Sequence, residues 1–600
     1  MGSSISLTDK VQPQEIPFGN NPEESETHPK KDRQCTDIFF LILMSLALIV
    51  LIILSTYCIF YGNIYRILYG YNDCADVCGI QNFREKDLKF ECKGSDMKFN
   101  KYLMILNASD TQGNSNGVTR VCVSSCYDHP GYRELFHRCI PEKSTLIVNQ
   151  FVSKLGWNDF FQEAAEDLGN NWKEILYLCL IGLVFSLVLV LLLRFFVGFL
   201  VWTVVIGVAL ASIIGTINLW ILYSQIDNDI NNKSAQLVSI VESTNKWSIL
   251  SFAIIVTIIT VCVVVLIIAL RNRIKLVVQL FKEAGKAIAS MPLLLLQPFL
   301  TLFSLAVVMI SWLYLALWIQ SAGHLTYIRQ NFFVYLADTP MKIARFWNFF
   351  LMLWMCQFVI GCQHMVLAGA VSTWYFTRNK SNLGDPILYS HYNLMKYHLG
   401  SISFGSLLIA TIMFVRLLLA FLQKQLVNKT NSCAKYMLKC CQCCLYCFEK
   451  LLKYISRNAY IEIAMYGQNF YNSGKRAFQI LTANSLRVAV INSVGDFVLF
   501  LGKVLVVLAT VFIGIEIFER KEGVQHIWVP LFVVAIFTYY IAHCFITVYE
   551  MAIDTIFLCF CEDCSQNDGL SKPYYMSKGL MSFVENSKKI IEESKTKSWA

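Results

Sequence analysis

The sequence predicts an all-α polytopic membrane protein with about ten transmembrane helices and a disulfide-containing extracellular loop domain between the first two helices. Hydrophobic residues make up 56% of its 600 residues and charged residues only 16%. Soluble domains average about 45–50% apolar and about 25% charged residues, so a water-soluble fold cannot bury this much apolar surface. The excess lies in runs such as 39–61 and 247–270, each long enough to cross about 30 Å of hydrocarbon. The composition therefore excludes a soluble enzyme, a nucleic-acid-binding protein and a secreted disulfide scaffold.

Residues 1–37 are predicted to form a disordered cytoplasmic tail, followed by the first transmembrane helix at 38–61. The apolar run is too long for the hydrophobic region of a signal peptide, and no small-residue cleavage site follows it. We therefore expect this helix to remain as an anchor. The basic residues before it, Lys30, Lys31 and Arg33, favour a cytoplasmic start of the chain.

The loop 62–173 is predicted to be an extracellular, glycosylated domain. It contains a glycosylation sequon at Asn107 and six cysteines, which in an extracellular setting favour disulfide bonds. Six cysteines allow fifteen pairings, so the sequence leaves the connectivity open. The cysteines are Cys74, Cys78, Cys92, Cys122, Cys126 and Cys139.

Eight further apolar spans follow the loop domain. We assign residues 174–435 to the first part of a transmembrane core and residues 471–560 to the last two transmembrane helices. Residues 561–600 are expected to form a cytoplasmic C-terminal tail. The segment 271–290 is rich in Lys and Arg, as the positive-inside rule expects of a cytoplasmic loop. The spans are 174–198, 199–224, 247–270, 292–320, 345–376, 398–422, 487–517 and 528–559.

The segment 436–470 is predicted to be a tenth crossing, with an amphipathic helix in the membrane interface as the alternative. Nine crossings would leave the C-terminal tail outside, although Lys475 and Arg476 are typical of a cytoplasmic segment. A tenth crossing removes this conflict and makes the sequon at Asn428 extracellular. The segment is rich in charged residues, so it can cross only where neighbouring helices or a water-filled cavity shield it from lipid. The basic residues of 424–439 favour the interfacial alternative.

Several short motifs lie in order from residue 35 to residue 577. They are Cys35-Thr36-Asp37, Val121-Cys122-Val123-Ser124-Ser125-Cys126, Arg457-Asn458-Ala459-Tyr460-Ile461, Ile541-Ala542-His543, Asp554-Thr555-Ile556-Phe557-Leu558-Cys559-Phe560, Asn567-Asp568-Gly569 and Lys572-Pro573-Tyr574-Tyr575-Met576-Ser577. Through these motifs the chain resembles the choline transporter-like family, solute carrier family 44, over nearly its whole length. The resemblance implies many crossings with both termini cytoplasmic. It also implies transport of choline, with ethanolamine as a further substrate, for phospholipid synthesis.

Choline is a quaternary ammonium ion without an N–H donor on its head group, so aromatic faces are the groups best suited to hold it. Tyr314 and Trp318 share one face of the span 292–320. The span 345–376 adds Trp354, Gln357 and His364, and these five side chains are candidates for the substrate site. The alternative is that the aromatic residues form an interfacial belt or pack the bundle.

The last span carries a polar stripe at Tyr539, His543, Glu550 and Asp554, which cannot face lipid and must point into the bundle. We expect Tyr539 and Glu550 to contribute to the substrate site. The imidazole of His543, with an ordinary pKa near 6.5, is a candidate for proton coupling. Alternatively, His543 only hydrogen-bonds a neighbouring helix, and the two carboxylates form a solvated cap.

Asp496 and Lys503 lie seven residues apart and so share one face of the preceding span. They are candidates for a gate whose closed state is locked by the pair, and a purely structural role is the alternative. Arg416, inside the span 398–422, also needs a carboxylate partner. Glu462 is our candidate by depth alone.

The cysteine clusters at 440–447 and 561–564 do not predict a metal site. Structural zinc needs four converging ligands, whereas adjacent cysteines on a helix point in different directions. We expect membrane-adjacent thiols, open to S-acylation, and no metal or cofactor. The sequence contains no GxxxxGK[ST] loop, so ATP is not the expected energy source. The membrane potential supplies about 2.3 kcal/mol per 100 mV for each charge that enters.

The sequence thus predicts a transporter of choline or a related small organic cation, not an enzyme, in the plasma membrane. We expect facilitated or proton-coupled movement, membrane lipids as partners, and no nucleic acid. One alternative is a multi-spanning receptor or scaffold that acts through its extracellular loop, with the polar stripes as structural contacts. Another is an integral lipid-modifying enzyme, which would need clustered Asp or His residues at one membrane face beyond Glu550 and Asp554. The sequence leaves the oligomeric state open.

Overall fold

The structure of this protein is a computed structural model. It describes residues 32–582 except 83–94, 108–117, 130–131, 136, 142–167, 169–170, 232–239, 330–331, 427–431, 522–526 and 568–571.

Helices form most of the described part of the chain. Short turns of 3-10 or π helix lie at Pro292–Leu296, Lys380–Asn382, Leu394–His398 and Ile491–Gly495. The α-helices are α1 (Ile38–Tyr61), α2 (Tyr65–Leu68), α3 (Trp172–Asn231), α4 (Ile240–Ser290), α5 (Gln297–Ser321), α6 (Thr339–Phe376), α7 (Pro386–Asn393), α8 (Leu399–Leu426), α9 (Ser432–Tyr466), α10 (Phe470–Ala483), α11 (Ser485–Val490), α12 (Asp496–Glu519) and α13 (Trp528–Gln566).

The loop domain between α1 and α3 contains a small β-sheet. Its strands lie in the order β2-β1-β4-β3, with β1 antiparallel to β2 and parallel to β4. The strands are short, four to six residues each. They are β1 (Tyr102–Asn107), β2 (Val118–Val123), β3 (Tyr132–Leu135) and β4 (Arg138–Pro141).

Disulfide bonds hold this sheet together, as the cysteine content predicts. Cys78 is bonded to Cys122, and Cys126 to Cys139. Cys74 is also disulfide-bonded, and Cys92 lies outside the described residues. Such bonds stabilise a small domain that has little apolar core of its own. Glycosylation of Asn107, the last residue of β1, stays a prediction.

The loop domain rests on a β-hairpin that joins α5 to α6, formed by β5 (His324–Arg329) and β6 (Phe332–Leu336). Arg120 donates a hydrogen bond from Nε to Asp73 at 3.1 Å and one from Nη2 to the carbonyl of Phe333 at 2.7 Å. The Arg66 guanidinium lies 3.7 Å from the centre of the Tyr335 ring. These contacts connect the loop domain to the helix that begins after β6.

Nine helical segments within the described residues are long and apolar enough to cross a membrane, and each overlaps one of the nine predicted spans. Several boundaries differ from the prediction. The residues 271–290, predicted as a loop, continue the helix α4, and the largest difference is in α3. The segments 174–198 and 199–224 share the single helix α3, with no turn between them. The physical reason is that the junction contains no proline and a single glycine, Gly198, which costs a helix only about 1 kcal/mol.

The long helix α3 packs against α4 in an antiparallel pair. Thr216 and Thr260 share a hydroxyl hydrogen bond at 2.8 Å, and Trp220 donates from Nε1 to Thr257 at 3.0 Å. Polar side chains within apolar helices are stabilised when they find such partners.

The helices α8 and α9 form a second antiparallel pair, against which α6 packs. Arg416 of α8 lies opposite Glu449 of α9. Further along the pair, Gly405 of α8 lies against Tyr460 of α9, and a Cβ atom at Gly405 would collide with the Tyr460 hydroxyl. The absence of a side chain at Gly405 therefore allows the two helices to approach closely.

The residues just before α1 are bound to the start of α8. The Thr36 hydroxyl lies 2.9 Å from Nδ1 of His398, and Asp37 accepts the backbone N–H of Phe470 at 2.8 Å. Arg33 donates to the carbonyl of Ala464 at 2.5 Å. This places the N-terminal flank of α1, the start of α8 and the end of α9 at the same end of the bundle.

Candidate functional site

A cluster of charged side chains lies between α9 and α13, with α12 beside it. Arg457 of α9 forms ion pairs with Glu550 and Asp554 of α13, and its Nη2 lies 2.8 Å from Asp554 Oδ2. The two carboxylates are four residues apart, so they project from one face of α13. The three side chains are between 11% and 20% exposed, so water screens their attraction only weakly.

The helix α12 adds one base and one acid to this cluster. Lys503, which is 9% exposed, donates from Nζ to His543 Nδ1 at 3.1 Å. An ammonium group has no acceptor, so His543 Nδ1 carries no proton in this contact. Asp496 of α12 lies within electrostatic reach of Glu550 and Lys503. The cluster therefore joins side chains from three helices.

The cluster has an unbalanced charge. In their usual charge states it contains three carboxylates, Asp496, Glu550 and Asp554, and two cations, Arg457 and Lys503. One negative charge is left over. Asp496 is exposed, whereas Glu550 and Asp554 are largely buried. The extra negative charge therefore lies where a proton, water or a small monovalent cation can neutralise it.

Five of the side chains predicted from the sequence belong to this cluster or interact with it. The imidazole of His364 on α6 interacts electrostatically with Arg457 and Glu550, so a fourth helix contributes. The Tyr539 ring stacks on the ring of His543, with 6.4 Å between centroids. Both side chains are exposed, so the structure does not bury this part of the predicted polar stripe inside the bundle. The five are His364, Asp496, Lys503, His543 and Glu550, and Tyr539 lies next to them.

The other predicted substrate-site residues have different contacts. Trp354 is 2% exposed, and its indole N–H lies 3.2 Å from the Ser403 carbonyl and 3.1 Å from the Ser406 hydroxyl of α8. Tyr314 is 55% exposed on α5 and packs edge-on against Trp318 at 6.5 Å. These are packing contacts, which the sequence leaves open as the alternative to a role in substrate binding.

Gln357, one turn after Trp354 on α6, is half-buried. A role in substrate binding stays a prediction for Gln357, Trp354, Tyr314 and Trp318.

The sequence did not assign Arg457 to the site. A signal for it exists, because two carboxylates inside an apolar span need a cation from another helix. The sequence does not show which cation this is. Arg457 lies 93 residues before Glu550, in a segment for which the sequence leaves open whether it crosses the membrane.

The prediction that Arg416 pairs with Glu462 is wrong. Arg416 donates from Nε to Glu449 Oε2 at 2.7 Å, and Lys453 donates to the other oxygen of Glu449 at 2.7 Å. Glu462 lies thirteen residues, or about 20 Å of helix, further along α9. It is near Arg476 instead, with Nε 3.5 Å from its Oε2.

No group of three or more His, Cys, Asp or Glu side chains suited to a metal ion is found in the described part of the chain. The cysteines of the 440–447 cluster are free and exposed on α9.

Known proteins are similar to this sequence over nearly its full length. The profile of a family described as "Plasma-membrane choline transporter" matches residues 254–565. Choline transporter-like protein 1 of Torpedo marmorata is 35% identical over 616 residues, which cover 94% of this chain and 94% of the relative. Choline transporter-like protein 1 of Mus musculus is 33% identical over 623 residues, 95% of each chain. Choline transporter-like protein 3 of Homo sapiens is 32% identical over 626 residues, 95% of this chain and 94% of the relative.

Proposed function

Because the chain belongs to the choline transporter-like family, we propose that it is a multi-pass transporter, not an enzyme, that carries choline across the plasma membrane. The observation that carries this proposal is the match to relatives named choline transporter-like over about 94% of the chain. Family membership confirms the resemblance that the motifs predict.

The charged cluster around Arg457 is our candidate for the choline site. Its unbalanced carboxylate suits a monovalent cation, and choline brings one positive charge without an N–H donor. Tyr539 offers an aromatic face beside the cluster, and a desolvated cation over such a ring gains about 2 kcal/mol. Glu550 and Asp496 supply the negative potential in this proposal.

Transport is either facilitated by the membrane potential or coupled to protons. His543 is the residue through which a proton would act on the site. Nδ1 of His543 accepts a hydrogen bond from Lys503. A proton on Nδ1 would make His543 a donor as well, so this hydrogen bond would break and α12 would separate from α13. We propose this contact as a gate. The cation that enters supplies phospholipid synthesis, and ethanolamine is a further candidate substrate.

We also propose that α9 crosses the membrane, which leaves both termini in the cytoplasm. The support is its course beside α8, since Arg416 meets Glu449 near one end of the pair and Gly405 meets Tyr460 toward the other. These two contacts are eleven residues apart on α8, about 16 Å of helix. Ala464, near the end of α9, also lies beside Arg33, at the end of the bundle where α8 begins. Contacts with neighbouring helices shield Glu449, Arg457 and Glu462 of α9, whereas Lys450 is exposed.

The test is uptake of radiolabelled choline into proteoliposomes that contain the purified protein. We expect uptake above empty vesicles, an increase with an inside-negative potential, and inhibition by excess unlabelled choline. Unlabelled ethanolamine and a neutral alcohol of similar size serve as competitors. Uptake no greater than in empty vesicles under every gradient contradicts the proposed function.

A further inference from the structure

Glu462 of α9 is a carboxyl group that the structure buries completely. Its exposed fraction is 0%, and neither of its oxygens has a hydrogen-bond partner among the described residues. Burying an ionised carboxylate without hydrogen bonds costs several kcal/mol, whereas the neutral acid avoids most of that cost.

The one cation near Glu462 within the described residues is already engaged by another carboxylate. Arg476 of α10 donates from Nε to Glu562 Oε1 at 2.9 Å and from Nη2 to Oε2 at 2.9 Å. This is the bidentate geometry in which a guanidinium binds a carboxylate most strongly. The closest approach of Arg476 to Glu462 is 3.5 Å from Nε to Oε2.

Further donors bind the Glu562 carboxylate. Tyr466 donates its hydroxyl to Glu562 Oε2 at 2.8 Å, and Gln566 donates to the same oxygen at 3.1 Å. The groups that act on Glu462 are therefore Glu562 and Cys559 of α13, Tyr466 of α9 and Arg476 of α10. Two carboxyl groups share a single cation, and like charges at such a site leave one of the two protonated.

Glu462, Arg476 and Glu562 form a second charged cluster. Glu462 and Glu562 lie on α9 and α13, the two helices that also carry the ion pairs of the candidate choline site. Glu462 follows Arg457 by five residues on α9, about 8 Å of helix, and Glu562 follows Asp554 by eight residues on α13, about 12 Å. A shift of α13 against α9 therefore changes both clusters together.

We propose that Glu462 is a proton-binding site of this carrier, which holds its proton while Glu562 occupies Arg476. When α13 moves away from α9, Arg476 and water become accessible to Glu462. The O–H bond then breaks, the proton passes to a water molecule, and the electron pair stays on the carboxylate, which pairs with Arg476. The coupling of this step to cation movement rests on the proposed function, whereas the protonated state of Glu462 does not.

Infrared difference spectroscopy at neutral pH tests the protonated state. We expect the spectrum of the wild-type protein minus that of Glu462→Gln to contain the C=O band of a neutral carboxylic acid. Glu562→Gln should also remove this band, because it releases Arg476 to pair with an ionised Glu462. Glu449→Gln is the control, since Glu449 forms ion pairs with both Arg416 and Lys453 and its replacement should leave the band unchanged. A carboxylate band in place of the acid band at Glu462 overturns the proposal.

Uptake into vesicles tests the coupling. With the potential clamped at zero, an interior one pH unit more acidic can drive up to about tenfold accumulation by one-for-one exchange, because tenfold corresponds to about 1.4 kcal/mol. We expect this stimulation in the wild-type protein and in Glu449→Gln, and a ratio near one in Glu462→Gln. A Glu462→Gln protein that responds to the gradient as the wild type does overturns the role in coupling.

The two measurements separate this inference from the proposed function. If the wild-type protein moves no choline under any gradient, the proposed function fails, and the infrared band still decides whether Glu462 binds a proton. Glutamine has the shape of the neutral acid, so Glu462→Gln should fold, and its thermal unfolding midpoint checks this. If it does not fold, Glu562→Gln decides the question: loss of the acid band supports the proposal, and an unchanged band overturns it.

Discussion

Arg457 of α9 forms an ion pair with Glu550 of α13 inside the helical bundle. Glu550 lies in the last predicted span, and Arg457 lies in the one long helix between α8 and α10, whose crossing the sequence left open. The contact explains how α9 can carry an arginine beside apolar helices, since Glu550 and Asp554 both form ion pairs with it.

Replacing Arg457 by Gln should strongly destabilise the protein. Glu550 and Asp554 would be left buried without a cation, and removing one partner of a buried ion pair costs about 3–5 kcal/mol. We expect a clear fall in the thermal unfolding midpoint of the purified protein and loss of choline uptake. Arg520→Gln is the matched control, because Arg520 is 78% exposed in its pair with Glu516 and such surface pairs contribute about 0–1 kcal/mol. Equal effects of the two substitutions would contradict the central position of Arg457.

Asp496→Asn should weaken choline binding while the protein stays folded. It removes the unbalanced negative charge of the cluster but retains a side chain of the same shape. A loss of about 1.4 kcal/mol of attraction would raise the KM for choline about tenfold. The measurement is the concentration dependence of uptake, with Glu516→Gln, an exposed carboxylate at the other end of α12, as the control. An unchanged KM in Asp496→Asn would exclude Asp496 from the substrate site.

Asp338 should make the stability of α6 depend on pH. Its Oδ1 accepts the N–H of Met341 at 3.0 Å as the N-cap of α6, and its Oδ2 accepts hydrogen bonds from Tyr57 and from His324 at 3.2 Å. Desolvation raises the pKa of Asp338, but the hydrogen bonds from Tyr57, Met341 and His324 outweigh it, so the pKa is lowered overall. Because the folded pKa is below the unfolded one, the stabilisation is full above the unfolded pKa, about 3.9, and is lost as pH falls through the folded pKa.

Two substitutions separate the cap of Asp338 from its charge. Asp338→Ala should cost about 1 kcal/mol at neutral pH, the usual value of an N-cap. Asp338→Asn should retain the cap and show a smaller loss of stability on acidification than the wild type. Thermal unfolding midpoints between neutral pH and pH 3 measure both effects. An identical acid dependence in Asp338→Asn would show that the Asp338 carboxylate does not contribute to it.

Glycosylation of Asn428 should show whether α9 crosses the membrane. If α9 crosses, residues 427–431 between α8 and α9 are extracellular, and Asn428 can be glycosylated in cells. Asn428→Gln and Asn107→Gln should then each remove one glycan, seen as a mobility shift that enzymatic deglycosylation abolishes. The double substitution should remove both glycans. A glycan at Asn107 alone, with residues near 428 protected from an impermeant reagent outside the cell, would support the interfacial alternative.

The nine apolar segments were predictable because a run of about twenty apolar residues has few other stable environments. The helix boundaries were less predictable. In α3 the helix continues through Gly198, and this depends on packing against α4. The disulfide pairs were not predictable from spacing, since any of fifteen pairings fits six cysteines. The partner of Arg416 was predicted from depth alone, and depth does not tell which face of α9 points toward α8.

The sequence by itself determined that this protein is a helical membrane protein of the choline transporter-like family, because apolar run lengths and local motifs are properties of contiguous residues. It also marked His543, Glu550, Asp496 and Lys503 as polar groups within apolar spans. The tertiary structure decided which of them meet, adding Arg457 to the cluster and Arg476 to the surroundings of Glu462. The balance of charge in each cluster depends on which helices lie side by side. These helices are distant in sequence, so their packing in the folded protein decides which charges meet.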